Sequence, residues 1–315
     1  MDGFRVEKKP QVYPLRYIED FFSTLKSCSD QRSRFATGRG FAWFPEPPSS
    51  VRYPMSENTT KTPSTLLEIT SYLNSLLEVS TYQDMALNGL QVESGAEAVT
   101  RVGFAVDGGL SILERAAEAG CNLLVVHHGL FWGKCETITG PLAKKVQVCV
   151  QHGLSLYAAH LPLDGHLEHG NAAEIAKRLD LSNVEGFIHY GPRTIGVRGT
   201  LPTPMALEDL GARVGALCGT PSPLILPFGA KKINSVAIVT GSGSSTLGDI
   251  ASAGIDVLIT GEPKQEAYHR AKELECSAIF AGHYNTETFG VRALERVLKE
   301  RFRVETVWID EPTGI

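Results

Sequence analysis

The 315-residue sequence has no run of about 18 consecutive apolar residues, the length that a membrane-crossing helix requires, so a helical membrane anchor is not expected. It also lacks a C-x-x-C pair. Its six cysteines, Cys28, Cys121, Cys135, Cys149, Cys218 and Cys276, are scattered singly, which argues against a thiolate zinc site or a thioredoxin-like redox centre. Reduced thiols in a cytoplasmic compartment fit that pattern, with Cys121 and Cys276 beside apolar runs as small hydrophobes. An excess of one charge sign is missing as well: a net charge of -5 gives no global attraction to nucleic acid or anionic lipid. The amino terminus has no apolar core of signal-peptide type.

What is present is globular. A hydrophobic share of 43% and a charged share of 21% can bury a large core, and the length favours two domains. Residues 1–62 stand apart. FPEPPSSVRYP and SENTTKTPST are rich in Pro, Ser and Thr without periodicity, so a poorly ordered extension is expected. Met55 directly precedes a sequence that would make an ordinary soluble amino terminus, which marks residues 1–54 as an upstream-start artefact or a targeting segment.

Periodicity begins at Thr65. Leu66, Ile69, Leu73, Leu76 and Leu77 recur at spacings of three and four, which places them on one face of an amphipathic helix. Two strand-helix-strand units follow: RVGFAVD, LSILERAAEAG and CNLLVVHH, then NSVAIVTG, STLGDIASAG and IDVLITGE. A constant offset lays the second on the first without a gap, pairing Val102 with Val236, Leu113 with Leu247, Gly120 with Gly254 and Leu124 with Leu258. This is the signature of an internal duplication, and it predicts an α/β protein with two similar halves.

The residues that carry chemistry sit at strand ends, where the loops of an open α/β sheet converge on a crevice. His127 and His128 follow the apolar run LLVV and, as neighbours, can point in different directions. GLSLYAAHLPLD and CSAIFAGHYNTE both end in H-x-x-x-[DE], giving His160 with Asp164 and His283 with Glu287, and Gly170 and Gly290 each precede a helical segment. Imidazoles and carboxylates from separate parts of the chain suit two divalent cations of the Zn, Fe, Mn, Co or Ni kind, without choosing among them. The other histidines, His152, His166, His169, His189 and His269, lack this context and read as solvated or locally hydrogen-bonded. Gly241–Ser245 (GSGSS) lacks the spacing of a dinucleotide fingerprint or P-loop, so a turn with a helix cap is favoured over an anion contact. Asp107, at the matching strand end of the first half, could cap a helix or reach the site.

The stretches NGLQVES, VVHHGLFWG, AAHLPLDGHLEHGN, TGEPKQEAYH and AGHYNTETFGVRAL together resemble the Nif-three-like family, named for NGG-one-interacting factor three, over residues 65 to 310. The resemblance implies two interlocked three-layer αβα domains, here 63–186 joined by the returning segment 284–315, and 187–283. It also implies a ring-shaped homohexamer and a dinuclear metal centre, whose ligands carry over to His127, His128, Asp164, His283 and Glu287. In that frame His160 either supports a ligand from behind or faces the substrate, rather than acting as a primary ligand. The connection from Gly191 to Lys231 is too short for the large insertion that some relatives carry.

Members are often labelled GTP cyclohydrolase one type two homologues, which implies water addition to a guanine ring followed by carbon-nitrogen cleavage. His160 and Glu262 are then the candidate proton-transfer residues. Three functions remain open at this stage. The first is a metal-dependent hydrolase of a nucleotide or related heterocycle, the second a metal-dependent phosphoesterase, and the third a non-catalytic metal-binding or regulatory hexameric scaffold.

Overall fold

The computed structural model describes residues 63–96 and 98–315; the expected low-order extension, 1–62, lies outside the described residues. The first helix, α1 (Leu66–Leu76), is capped reciprocally, because the Thr65 hydroxyl accepts from the Glu68 N–H while the Glu68 carboxylate accepts from the Thr65 N–H. Its apolar stripe buries Ile69, Leu73 and the following Leu77, as the spacing predicted.

The strands form two larger sheets. In the first, β4 (Arg101–Asp107), β5 (Leu123–His128) and β6 (Ser155–Ala158) run parallel. The antiparallel β2 (Gly89–Val92) lies outside β6, and β13 (Glu305–Trp308) returns from the carboxyl-terminal end to pair parallel with β4. In the second, β10 (Lys232–Ile238), β11 (Val257–Thr260) and β12 (Ser277–Phe280) run parallel, flanked by the antiparallel β9 (Leu224–Leu226) and by a hairpin of β7 (Ser182–Tyr190) and β8 (Arg193–Ala206). A two-stranded ladder of β1 (Ser64–Thr65) and β3 (Ala98–Val99) completes the set.

Each parallel core is buried on both faces, which explains its nearly continuous apolar sequence. Successive residues of β4 serve different cores. Phe104 packs with Ile69 and Leu73 of α1 and with Leu294 and Leu298 of α9 (His283–Phe302), whereas Ala105 packs with Ile112 and Leu113 of α2 (Leu110–Glu118) and with Cys149 of α3 (Gly140–Gln151). The second sheet repeats this layering. Val236 and Ile238 meet α5 (Asn171–Arg178) and α6 (Leu207–Cys218), while Ala237 and Val239 meet α7 (Leu247–Ser252) and α8 (Gln265–Glu273). The chain is thus two similar three-layer αβα assemblies. They interlock through α9, whose Phe289 joins the second core and whose Val291 joins the first.

The duplication is visible in the ladders themselves. A shift of 134 residues carries the pair Val102↔Leu123 onto Val236↔Val257. With Leu123 laid on Val257 by that same shift, the next ladder sets Ser155 on Ser277, a shift of 122 for the third strand. That register corrects the motif alignment by one residue: Ala159 matches Ala281, so His160 matches Gly282 and His283 matches Leu161. The helix caps agree, since His160 precedes the short helix α4 (Leu161–Asp164) as Gly282 precedes α9. A second correction concerns Gly290. It does not precede a helix but lies inside α9, where a Cβ would come within 2.8 Å of Asn171 Oδ1 and 2.9 Å of Leu163 Cγ, so glycine permits the close crossing with α5.

Candidate metal centre

His127 and His128 are the last two residues of β5, and alternation of the strand sends their rings to different sides of one carboxylate. His127 Nε2 lies 3.5 Å from Asp164 Oδ2 and 3.6 Å from Glu287 Oε1. His128 Nε2 and His283 Nε2 lie 3.3 and 3.2 Å from the other oxygen, Glu287 Oε2. All five residues proposed from sequence therefore meet. His283 and Glu287 reach the site together because they stand one turn apart on the first two turns of α9.

Each imidazole is held from behind. The His127 Nδ1–H donates to the Ala159 carbonyl at 2.9 Å, His128 Nδ1–H to Asp107 at 2.8 Å and His283 Nδ1–H to Glu262 at 2.9 Å. These partners fix the tautomer and leave Nε2 bare toward the centre, the arrangement that orients metal-ligating histidines. Asp164 is treated likewise: Asn171 Nδ2 and the Thr240 hydroxyl both donate to Oδ1, at 3.0 and 3.1 Å, which leaves Oδ2 facing His127.

Burial makes the centre costly without a cation. His127 is fully enclosed and Glu287 is only 3% exposed, yet neither His127 Nε2 nor Glu287 Oε2 has a hydrogen-bond partner. Unpaired polar atoms at this depth cost about 1–3 kcal/mol each. Separations of 3.2–3.6 Å without hydrogen-bond alignment match two donors of one ion, since ligands about 2.1 Å from a shared tetrahedral metal stand roughly 3.4 Å apart. The donor set fits divalent cations. The side chains form three such groups, His127–Asp164–Glu287, His128–His283–Glu287 and His127–His128–His160, with donor atoms within 4.8 Å of one another in each.

Electrostatics point the same way. Burial pushes the His127 imidazolium down, but Asp164 and Glu287 outweigh it and raise the group to about 10. Contact with Glu287 raises His283 to about 9 against opposing burial. Burial would raise the Glu287 carboxyl, and the surrounding imidazoles reverse that and hold it well below the usual carboxylate range. Without ions, protons take the place of cations.

His160 stands beside the cluster, its ring centroid 5.1 Å from that of His127. Its Nδ1–H donates to Asp84 at 3.0 Å, and Asp84 also accepts from the Ala86 and Leu161 N–H groups and from Asn88 Nδ2. These bonds hold the Asp84 carboxyl below its ordinary range despite burial. Glu262 is engaged with His283, and that hydrogen bond lowers its carboxyl. The GSGSS segment forms the expected turn and a 3-10 helix over Gly243–Thr246 that runs into α7, but not the expected cap, since neither Ser242 nor Thr246 makes a side-chain capping bond; Ser242, Gly243 and Ser245 line the cavity in front of the cluster.

Asp84, Asn171 and Thr240 were not singled out from sequence. They come from two loops and the first turn of α5, and each lies in or near a stretch quoted above: Asn171 ends AAHLPLDGHLEHGN, Thr240 is the seventh residue of NSVAIVTG, and Asp84 stands four residues before Asn88 of NGLQVES. Cys121 and Cys276 are buried among apolar side chains, as expected, and Cys28 lies outside the described residues. Cys121, Cys149, Cys218 and Cys276 are buried and unpaired, with thiols raised by burial to about 11 or 12, and Cys135 is exposed. No helix among the described residues is long and apolar enough to cross a membrane.

Known proteins share both the sequence and this frame. A protein of Deinococcus radiodurans named "GTP cyclohydrolase 1 type 2 homolog" is 41% identical over 248 residues, covering 79% of this chain and 94% of the relative. A Halobacterium salinarum protein of the same name is 43% identical over 250 residues, covering 79% and 98%. The crystal structure of TTHA1606 from Thermus thermophilus superimposes with a TM-score of 0.74 at 39% identity, covering 80% of this chain and all of that one. Residues 64–314 match the model of Duf34/NIF3 (NGG1p interacting factor 3), and the chain belongs to that family.

Proposed function

We propose that this chain is a cytoplasmic, metal-dependent hydrolase that holds two divalent ions on His127, His128, Asp164, His283 and Glu287 and acts on a nucleotide or related heterocycle. The observation that carries the reading is the placement of Glu287: its two oxygens face two separate sets of bare imidazole nitrogens, as a carboxylate shared by two cations would. Bound ions would supply Lewis acidity for activating water at neutral pH. The names of the relatives support a purine-like substrate, and the resemblance supports assembly as a homohexamer.

The chain's own residues then divide the work. Asp84 fixes the His160 ring and leaves its Nε2 free beside the cluster, where it can hold or pass a proton. Glu262 acts through His283, whose ring it orients, and can take up or return a proton by way of that imidazole. Incubating ion-loaded protein with a panel of nucleotides tests the proposal. Formation of a ring-opened or otherwise hydrolysed product that disappears in Glu287→Gln and His127→Ala is the expected result. Turnover indifferent to both substitutions contradicts it, and ion uptake with no turnover on any substrate leaves the metal-holding scaffold.

A further inference from the structure

The cavity in front of the cluster has a volume of about 310 Å³, at the small end of ligand sites, which span about 300–1,000 Å³. Among the described residues, no Lys or Arg lines it. Apart from the cluster itself, the wall combines apolar side chains, Trp132, Ile195 and Val239, with hydroxyls, Ser242, Ser245 and Thr246. Phosphate groups are recognised by Arg forks, Lys charges or converging N–H donors. With ions bound the cluster itself could meet one phosphate, but no basic side chain in the wall would hold the rest of a polyphosphate tail.

Trp132 gives the cavity a different specialty. Its backbone is bridged to Ala86, and its indole N–H is already spent on the Gly129 carbonyl at 3.2 Å. The backbone and the indole N–H are thus both engaged, and the half-buried ring lines the cavity without a free polar donor of its own. Its centroid stands 5.0 Å from His160 and 5.7 Å from His128, within one ring's breadth of the groups that would act on a substrate. Flat heterocycles stack on such surfaces whatever their hydrogen-bonding pattern, and hydroxyls elsewhere in the wall can pair with ring nitrogens and exocyclic groups.

We propose that Trp132 is a stacking wall for the flat ring of an uncharged nucleoside or nitrogen heterocycle, and that this chain recognises the ring rather than a phosphate tail. The purpose of that binding, though not the stacking itself, rests on the hydrolase reading above. Calorimetric titration of the full, ion-loaded chain with guanosine, adenosine, GTP and inorganic triphosphate tests it, alongside Trp132→Ala and Trp132→Phe. Trp132→Ala should weaken nucleoside binding about tenfold to hundredfold, the range found when a stacked aromatic is removed. Trp132→Phe should retain most of it, and binding of inorganic triphosphate should not change.

Three outcomes overturn the proposal: no nucleoside binding by the parent chain, nucleoside binding that Trp132→Ala leaves intact, or GTP binding tenfold or more tighter than guanosine. Elemental analysis of the same samples separates the two readings. A chain that carries ions yet binds no nucleoside sinks the stacking wall alone. A chain that carries no ion but loses tenfold on Trp132→Ala sinks the metal centre and leaves the stacking wall standing.

Discussion

The two halves share one strand frame and use its ends in opposite ways. In the first half the strand ends carry functional side chains: Asp107 closes β4, and His127 and His128 close β5. The equivalent positions in the second half are Gly241, Gly261 and Glu262. There, two of the three strand-end groups have been cleared away. A Cβ on Gly241 would lie 2.1 Å from Glu287 Oε1, and one on Gly261 would lie 2.7 Å from His283 Cα. The first half thus supplies ligands from a strand, while the second supplies space into which helix α9 delivers His283 and Glu287. A duplicated frame provides the crevice, and loss of side chains from one copy makes it a site.

The orienting carboxylates follow the same logic one strand apart. Asp107 on β4 holds His128 at the end of β5, and Glu262 after β11 holds His283 after β12. Each half therefore contributes one imidazole-carboxylate pair, and both point at Glu287 Oε2.

The largest effect that would test this contrast is expected from Gly241→Ala compared with Gly254→Ala. Both glycines have positive φ, +62° and +66°, so the backbone strain is shared, but a Cβ at Gly254 meets nothing within 4 Å. The first variant should lose essentially all bound metal and the second should keep it, as read by elemental analysis. Next in size, Glu287→Ala should remove both ions, whereas Asp164→Ala and His283→Ala should each remove about one. Equal losses from all three would show that the two groups are not distinct.

Asp107→Asn and Glu262→Gln make a smaller, paired test. Each should weaken ion binding about 10- to 100-fold, the usual effect of losing an orienting partner, and by similar factors because both serve one group. Isothermal titration reads this directly, and a loss from only one of them would break the symmetry.

The smallest expected effect is on pH dependence. In the ion-free protein His127 and His283 are raised to about 10 and about 9 from 6.5, so their protonated forms stabilise the fold fully below about pH 6.5. That contribution is lost as pH rises through about 9 to 10. Chelated protein should therefore lose thermal stability, on the order of a few degrees of Tm, between pH 7 and 10. Ion-loaded protein, with its imidazoles already neutral, should not. A difference between the two Tm values that stays constant across this range would contradict the assignment.

The sequence made the frame legible because apolar strands, Ala-Gly turns and helix stripes recur with one offset, and because unusual polar residues stand directly after apolar strands. Its H-x-x-x-[DE] repeat misled by one residue. The spacing of His160 to Asp164 equals that of His283 to Glu287, but only His283 lies within a helix, and the ladder aligns it with Leu161. Asp84, Asn171 and Thr240 were illegible for a different reason, since residues that orient a ligand need no fixed spacing from it. The β7–β8 hairpin was also missed. Its β7 strand is largely exposed, and β8 carries Pro202 and Pro204, which weaken any strand signal.

Anomalous diffraction from crystals of the ion-loaded protein tests the central claim most directly. Two peaks per chain are predicted, one about 2.0–2.2 Å from His127 Nε2 and the other at that distance from both His128 and His283, with one oxygen of Glu287 on each. A single peak, or none among these side chains, would contradict it.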